Sequence, residues 1–295
     1  MLAVKTYNND KHIFRREMRL LGNRFEISVV GNDGVWAHNC IDAAAAEINR
    51  VEKLLSTLSD DSQVTEINRN AGIKPVKVNA EVFRLIERAL AISELTDGAF
   101  DITYNAEGDG KAANYRQVAL DTDKTTVYLQ GKGMRIGFGA ISRGYAADRA
   151  KYVLQLLGVS SGVVNAGGDL LAWGLQPDNQ SWTIASADPQ QQAQPYSGIR
   201  ISNMAIATSA NFKENTAIND KMANIDTKKG FPVSVLKRVS VVSPTAELSD
   251  AMATPVMTMG VNAGLYLINK LQQLACVIVD DHDRVYTSKE ISYLT

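Results

Sequence analysis

Gly137-Phe-Gly-Ala-Ile-Ser-Arg-Gly-Tyr-Ala-Ala-Asp148 is the stretch from which the rest of the chain reads outward. A strand pattern over Met134–Phe138 runs into glycines and then into a helical pattern over Ala146–Leu157. Gly158 stops that helix at the usual left-handed C-terminal position. Where a strand feeds a helix in this way, free backbone N–H groups and the positive end of the helix dipole favour phosphate. Arg143 adds a charge-assisted, bidentate donor, and Gly144 leaves room for a ligand beside the backbone. Taken alone, the same residues also read as an ordinary strand-to-helix turn with a solvated arginine. They match neither a Walker loop nor a dinucleotide GxGxxG.

Upstream, Phe25–Val30 alternates as a strand and ends in the turn Gly31-Asn-Asp-Gly34. Ile41, Ala44, Ala45, Ile48, Val51, Leu54 and Leu55 recur at helical spacing and predict a helix over Ala37–Leu58. A second helix is predicted from Asn79, its N-cap, to Leu95. Residues 1–16 read as a strand or an arm, and residues 97–117 as a surface loop. Strands follow at Gln117–Leu120 and Thr126–Leu129.

Downstream, Val163–Val164 and Leu170–Trp173 flank Asn165-Ala-Gly-Gly-Asp169, a hairpin with glycines where positive φ is needed. Asp169 is placed to accept from a ligand, or simply to stabilise its turn. Strands are predicted at Trp182–Ala185, Gly198–Ser202, Ala205–Thr208 and Val235–Val242, with a loop over 186–197. A helix starts near Ser243-Pro244, with the proline in its first turn. Another covers Ala263–Leu271, and Ala275–Val279 with Val285–Thr287 closes as a hairpin. Helices and strands mix without a βαβ rhythm, so the class is α+β.

Two further segments carry chemistry. In Ser249-Asp-Ala-Met-Ala-Thr254, Asp250 and Thr254 lie one helical turn apart on one face. A carboxylate with a hydroxyl suits a hard cation such as magnesium; an acidic residue serving the helix dipole is the plainer reading. Pro255 then removes a helical hydrogen bond and predicts a kink at that face. Ala207-Thr-Ser-Ala-Asn211 is a strand end rich in hydroxyls, equally readable as a capped turn.

The bulk properties set limits. The chain has 295 residues, 45% hydrophobic and 21% charged, with net charge −1. That length suits one large domain or two intimate lobes. The near-neutral balance offers no broad basic field for nucleic acid or anionic lipid. Cys40 and Cys276 each sit in an apolar setting and read as buried thiols rather than a disulfide. Three histidines and no CxxC argue against zinc. No apolar run reads as a bilayer span, and the first ten residues lack the apolar core of a signal peptide. A cytoplasmic chain and a trimmed exported one remain equally open.

Taken in order, these segments resemble the FAD:protein FMN transferase (ApbE-like) family. Leu21-Gly22-Asn23 resembles its early Met-Gly-Thr, and Leu58–Ser62 with Glu66-Ile-Asn68 its PxSexxxlN. Gly98–Thr103 resembles GaFDpT, Gly139–Asp148 resembles GgiaKGyavD, and Val164–Asp169 matches its glycine turn in full. Ala207–Ser209, Ser249–Thr254 and Val285–Ser288 complete the series. The resemblance implies one unit over residues 1–295 with an arm at 1–17, built as two interleaved α/β lobes with mixed or antiparallel sheets and a cleft. It implies magnesium and FAD, the latter as substrate, with FMN passing to a Thr or Ser hydroxyl of a flavin-accepting protein and AMP leaving. Family members are often exported and lipid-anchored.

Residue by residue, the resemblance makes Asp250, Thr254 and the Ala140 carbonyl metal ligands, and counts Asp226 with Asp250 and Thr254 as catalytic. Leu21, Gly22, Ala140, Ser142, Arg143, Gly144, Tyr145 and Asp148 would face the dinucleotide. Gly167, Gly168, Asp169, Thr208 and Ser209 would line the same site. Three departures stand out. The family lysine is Arg143, which keeps charge and changes shape. The family HxxDPxTG is Asn224-Ile-Asp-Thr-Lys-Lys-Gly230, with Asp226 and Gly230 matching and an asparagine where the histidine base would be. The Trp-containing insertion after Thr103 is missing. An FAD pyrophosphatase, or a non-catalytic flavin-binding member, is the alternative.

Overall fold

A computed structural model describes residues 11–105, 113–183, 200–210 and 236–289. Its frame is an eight-stranded sheet in which every pair is antiparallel. The order is β1 (His12–Leu20), β2 (Asn23–Gly31), β8 (Gly162–Ala166), β9 (Asp169–Trp173), β10 (Met204–Ala210), β11 (Leu236–Ser243), β12 (Ala275–Asp280) and β13 (Val285–Thr287). Two small sheets flank it: β3 (Val76–Lys77), β6 (Thr126–Leu129) and β5 (Val118–Asp121) form one, and β4 (Thr103–Asn105) with β7 (Met134–Ile136) the other. The mixture of helices and antiparallel sheets is the α+β class expected.

Strand alternation sorts the side chains of the large sheet into two sets. Leu171, Trp173, Ala205, Ala207, Val239, Val241, Cys276 and Ile278 join the main core. Their neighbours Ala172, Ile206, Val242, Ala275 and Val277 form a smaller cluster with Ile201, and Trp182 and Met204 pack on it. Three helices cover the main face. α1 (Gly34–Leu54) lies against β1 and β2, α4 (Ser142–Leu156) against β8 and β9, and α5 (Ala246–Ile268) against β10 and β11. In α1 the stripe Ala37, Ile41, Ala44, Ile48 and Val51 is wholly buried, as its spacing predicts. Asp33 caps it by accepting from the N–H groups of Val35 and Trp36.

Several boundaries move for local reasons. α1 stops at Leu54, not Leu58, because the Ser56 hydroxyl accepts from the N–H groups of Leu58 and Ser59 and offers the backbone a turn instead. α4 begins at Ser142, four residues earlier than the periodicity suggests. Residues 97–117 are more than a loop: Asp101 accepts from Thr103 N at 2.8 Å and Tyr115 N at 2.9 Å, framing β4 and a short 3-10 turn over Tyr115–Gln117. The expected arm is strand from His12 onward. α2 (Gln63–Arg69), which the periodicity did not predict, is tied to β7 by the Asn68 amide, bonded to both the carbonyl and the N–H of Ile136.

α5 departs most from expectation. Its N-cap is Thr245, so Pro244 stands outside the helix rather than in its first turn. Helical dihedrals run through Pro255 and break instead at Gly260, where φ is 80°. The break joins two helices that the sequence reading kept apart. Its length and mean hydropathy of 1.3 would also suit a bilayer span, where none was expected. Here Ala251, Met252, Val256 and Met257 are buried in the main core beneath the sheet. The loop at 186–197 and the inner ends of the strands predicted on either side of it lie outside the described residues; Thr183 bridges Arg200 across that gap.

Candidate active site between two helix starts

The Gly137–Ile141 turn delivers the chain into α4 with Ile141 at the N-cap and no side chain capping it. The end of the helix is therefore open to an acceptor from elsewhere. That acceptor is Asp250 in the second turn of α5, whose Oδ2 receives the Gly144 N–H at 3.2 Å. Its Oδ1 receives Arg143 Nη2 at 3.1 Å. The same nitrogen lies 3.2 Å from Asp169 Oδ2.

Asp169 is presented by the turn between β8 and β9. Gly167 and Gly168 reverse the chain at φ 72° and 109°, values that a side chain would resist. The turn is held by Asn165 Oδ1, which accepts from Gly168 N at 2.9 Å. Asp169 Oδ1 accepts from Thr208 N at 3.0 Å, so the carboxylate bridges β9 to β10 and α4. Hydroxyls complete the cluster. Thr208 Oγ1 is 2.8 Å from Ser240 Oγ, and Thr254 Oγ1 donates to Ser209 Oγ at 3.4 Å.

Burial dominates the electrostatics. Desolvation pushes the Asp250 carboxyl up to about 6; Arg143 opposes that rise and the neighbouring Asp169 adds to it. Asp169 is raised for the same first reason, with the Thr208 N–H and Arg143 pulling it back. Two carboxylates share one guanidinium, so the ionised cluster holds one negative charge more than Arg143 supplies. Carboxylate oxygens beside hydroxyls, with unbalanced negative charge, fit a hard divalent cation. Arg143 itself is incompletely used: its Nε is buried and, among the described residues, has no hydrogen-bond partner.

Along the chain just before Arg143 opens a cavity of about 440 Å³, whose lining includes Leu21, Glu52, Leu55, Tyr104, Phe138 and Ser142, with Gly137 and Gly139. Leu21 and Gly22 form the two-residue β1–β2 turn with φ 51° and 69°. Gly167 N donates to Arg24 O at 2.9 Å, which sets that turn next to the glycine turn of β8–β9. Ala140 sits exposed on the turn before α4. The Arg143 turn, Asp169, Thr208, Ser209, Asp250 and Thr254 are thus gathered around one locality, with the cavity at its edge.

Three expected ligand contacts are committed elsewhere. The Tyr145 hydroxyl donates to Glu81 Oε1 at 2.6 Å. Both oxygens of Asp148 are taken by the first N–H groups of α5, Ala246 at 3.0 Å and Glu247 at 2.9 Å. The space above Gly144 is filled by α5 rather than by a ligand: a methyl group there would lie 2.3 Å from the Ala246 carbonyl oxygen. Asp226, with the rest of Asn224–Gly230, lies outside the described residues. Sequence reasoning passed over Tyr104, which lines the cavity, and Ser240, which meets Thr208. Tyr104 directly follows the Gly98–Thr103 motif, which was the available signal.

The chain matches the family model described as the ApbE family over residues 21–109 and 106–278. A protein named FAD:protein FMN transferase from Klebsiella pneumoniae (strain 342) is 27% identical, with 92% of this chain and 90% of that protein covered. One of the same name from Treponema pallidum (strain Nichols) is 26% identical over 86% of this chain and 80% of its own length. Among solved structures, the ApbE protein from Thermotoga maritima superposes with a TM-score of 0.79 at 23% identity, covering 96% of this chain and 99% of that one. The apo flavinyl transferase ApbE from Pseudomonas stutzeri gives the same score and identity, with 96% and 98% covered. Both structures establish the fold.

Proposed function

Because this chain belongs to the ApbE family, we propose that it transfers FMN from FAD to a protein, attaching the flavin through its phosphate to a Thr or Ser hydroxyl and releasing AMP. The observation that carries the reading is the meeting of Arg143, Asp169 and Asp250, through contacts of 3.1 and 3.2 Å, at the start of α4, where Ile141 offers no side-chain cap and Asp250 takes the Gly144 N–H. That arrangement supports a site for a diphosphate and its counter-cation.

In this reading the cavity along Leu21, Tyr104 and Phe138 takes an aromatic ring system, and the diphosphate lies over the Gly139–Arg143 turn. Asp250 and Thr254, with the Ala140 carbonyl, hold magnesium, which when bound neutralises the diphosphate and polarises its phosphoryl oxygens. Arg143 supplies a second positive charge where negative charge accumulates. The acceptor hydroxyl oxygen forms a bond to the FMN-side phosphorus while the bond to the AMP phosphate breaks; AMP leaves and the hydroxyl proton passes to solvent. The protein's contribution is position and charge, as phosphoryl transfer demands. Tyr145 and Asp148 act at one remove, holding α4 against its neighbours.

The test is incubation with FAD and magnesium, with and without a Thr-containing acceptor peptide, followed by mass analysis. A peptide that gains an FMN mass, with stoichiometric AMP, supports transfer. FMN and AMP released equally without peptide make the protein a pyrophosphatase. Bound but intact FAD makes it a flavin-binding module.

A further inference from the structure

Arg143 stands between the two buried carboxylates of the site. One of its nitrogens, Nη2, spans the two buried carboxylates at 3.1 and 3.2 Å. The other oxygen of each carboxylate is held by a backbone N–H, Gly144 for Asp250 and Thr208 for Asp169. Those backbone bonds are fixed by α4 and β10, whereas the guanidinium sits on a rotatable side chain. Arg143 is also poorly satisfied where it is: its Nε is enclosed and has no acceptor among the described residues. A guanidinium with unused donors gains by exchanging one carboxylate contact for a bidentate grip on phosphate.

We propose that Arg143 is the resident counter-cation of the Asp169–Asp250 pair, and that a divalent ion binds by displacing it toward the substrate's diphosphate. This rests on the function proposed above and adds a property of this chain's arginine. In the free protein the positive charge on Arg143 suppresses metal binding. In the substrate complex the same side chain serves the phosphates. Metal and dinucleotide therefore favour each other's binding through one side chain that has two positions. A lysine here would place a compact ammonium on a more flexible stem, without the planar fork that lets arginine hold two acceptors.

The experiment measures Mn²⁺ binding to the purified protein with no nucleotide present, by electron paramagnetic resonance of the free ion, at pH 7.5. Arg143→Ala and the longer neutral Arg143→Gln are compared with the unaltered chain, with circular dichroism confirming that each is folded. Both variants are expected to bind Mn²⁺ about tenfold or more tightly, given the interaction of charges about 4 Å apart in a partly buried site. Adding Asp250→Asn to Arg143→Gln should abolish the gain and so place the ion at this pair. Unchanged or weaker binding in both arginine variants overturns the proposal. The readout involves no flavin, so that result leaves FMN transfer standing. Tighter Mn²⁺ binding with no AMP release from FAD would instead remove the proposed function and keep the displacement.

Discussion

At the residue scale, the decisive side chain is Asp250. It is 8% exposed, accepts from a backbone N–H and from Arg143, and carries a carboxyl lifted by burial. Asp250→Asn keeps the shape and one acceptor oxygen while deleting the charge. AMP release from FAD should then fall on the order of 100-fold, the scale on which removal of one organised electrostatic group acts. The fold should survive, because Arg143 still has Asp169 as a partner. Turnover at the unaltered rate would take Asp250 out of the chemistry. This residue was legible in the sequence because an acid inside an apolar helix is costly without a partner. Its partner was legible only as the arginine of a separate motif, 107 positions away. The partners of Asp148 were hidden for the same reason. Its capping bonds cross 98 and 99 residues and leave no local pattern to read.

At the element scale, the geometry depends on how α4 crosses α5. Gly144 lets the two backbones approach until a methyl there would overlap the Ala246 carbonyl. Gly144→Ala should lower the unfolding free energy by about 1–3 kcal/mol or more, the usual cost of overfilling a packed contact. It should also loosen Asp250 from the α4 start; denaturant midpoints and AMP release are the two readouts. Asp148 holds the same crossing from the other side. Burial raises its carboxyl from the usual 3.8 to about 6, outweighing the two backbone donors that favour its charged form. The folded state therefore keeps a proton that the unfolded chain gives up between those values. Stability from this group is full below 3.8 and is lost as pH rises through 6. The wild-type advantage over Asp148→Asn should shrink by about 3 kcal/mol between pH 3.8 and 7. A pH-independent difference would mean that Asp148 is not the buried acid described here. Long helices such as α1 and α3 (Ala80–Leu95) were readable because their buried stripes repeat every turn. The short β4 and α2 were not, since hydrogen bonds made by Asp101 and Asn68, rather than any periodicity, define them.

At the scale of the whole molecule, the site belongs to the sheet as much as to the helices. Asp169 opens β9, Thr208 and Ser209 lie in β10, and Ser240 lies in β11. Strand order decides whether these residues meet, and pairing between strands distant in the chain is the part of a fold that a sequence specifies least directly. Apolar runs between turn residues marked where these strands lie; they did not show that β8 pairs with β2 or that β13 ends the sheet. Cys276 offers a probe of this assembly. It sits in β12 beside β11, is fully buried, and has a thiol pushed up to about 12 by desolvation. A thiol so placed reacts only when the sheet opens. Ellman's reagent should therefore leave the native protein unlabelled on the timescale that labels it fully in denaturant, where Cys40 and Cys276 both count. FAD with magnesium at about 100 times its dissociation constant should stabilise the closed form by about 2.7 kcal/mol and slow native-state labelling by about 100-fold. That slowing requires the ligand's site and the buried thiol to share one cooperative structure. If ligand binds and labelling of Cys276 keeps its rate, the sheet opens at β12 without disturbing Asp169 and Thr208, and the site's coupling to the sheet stops at β10.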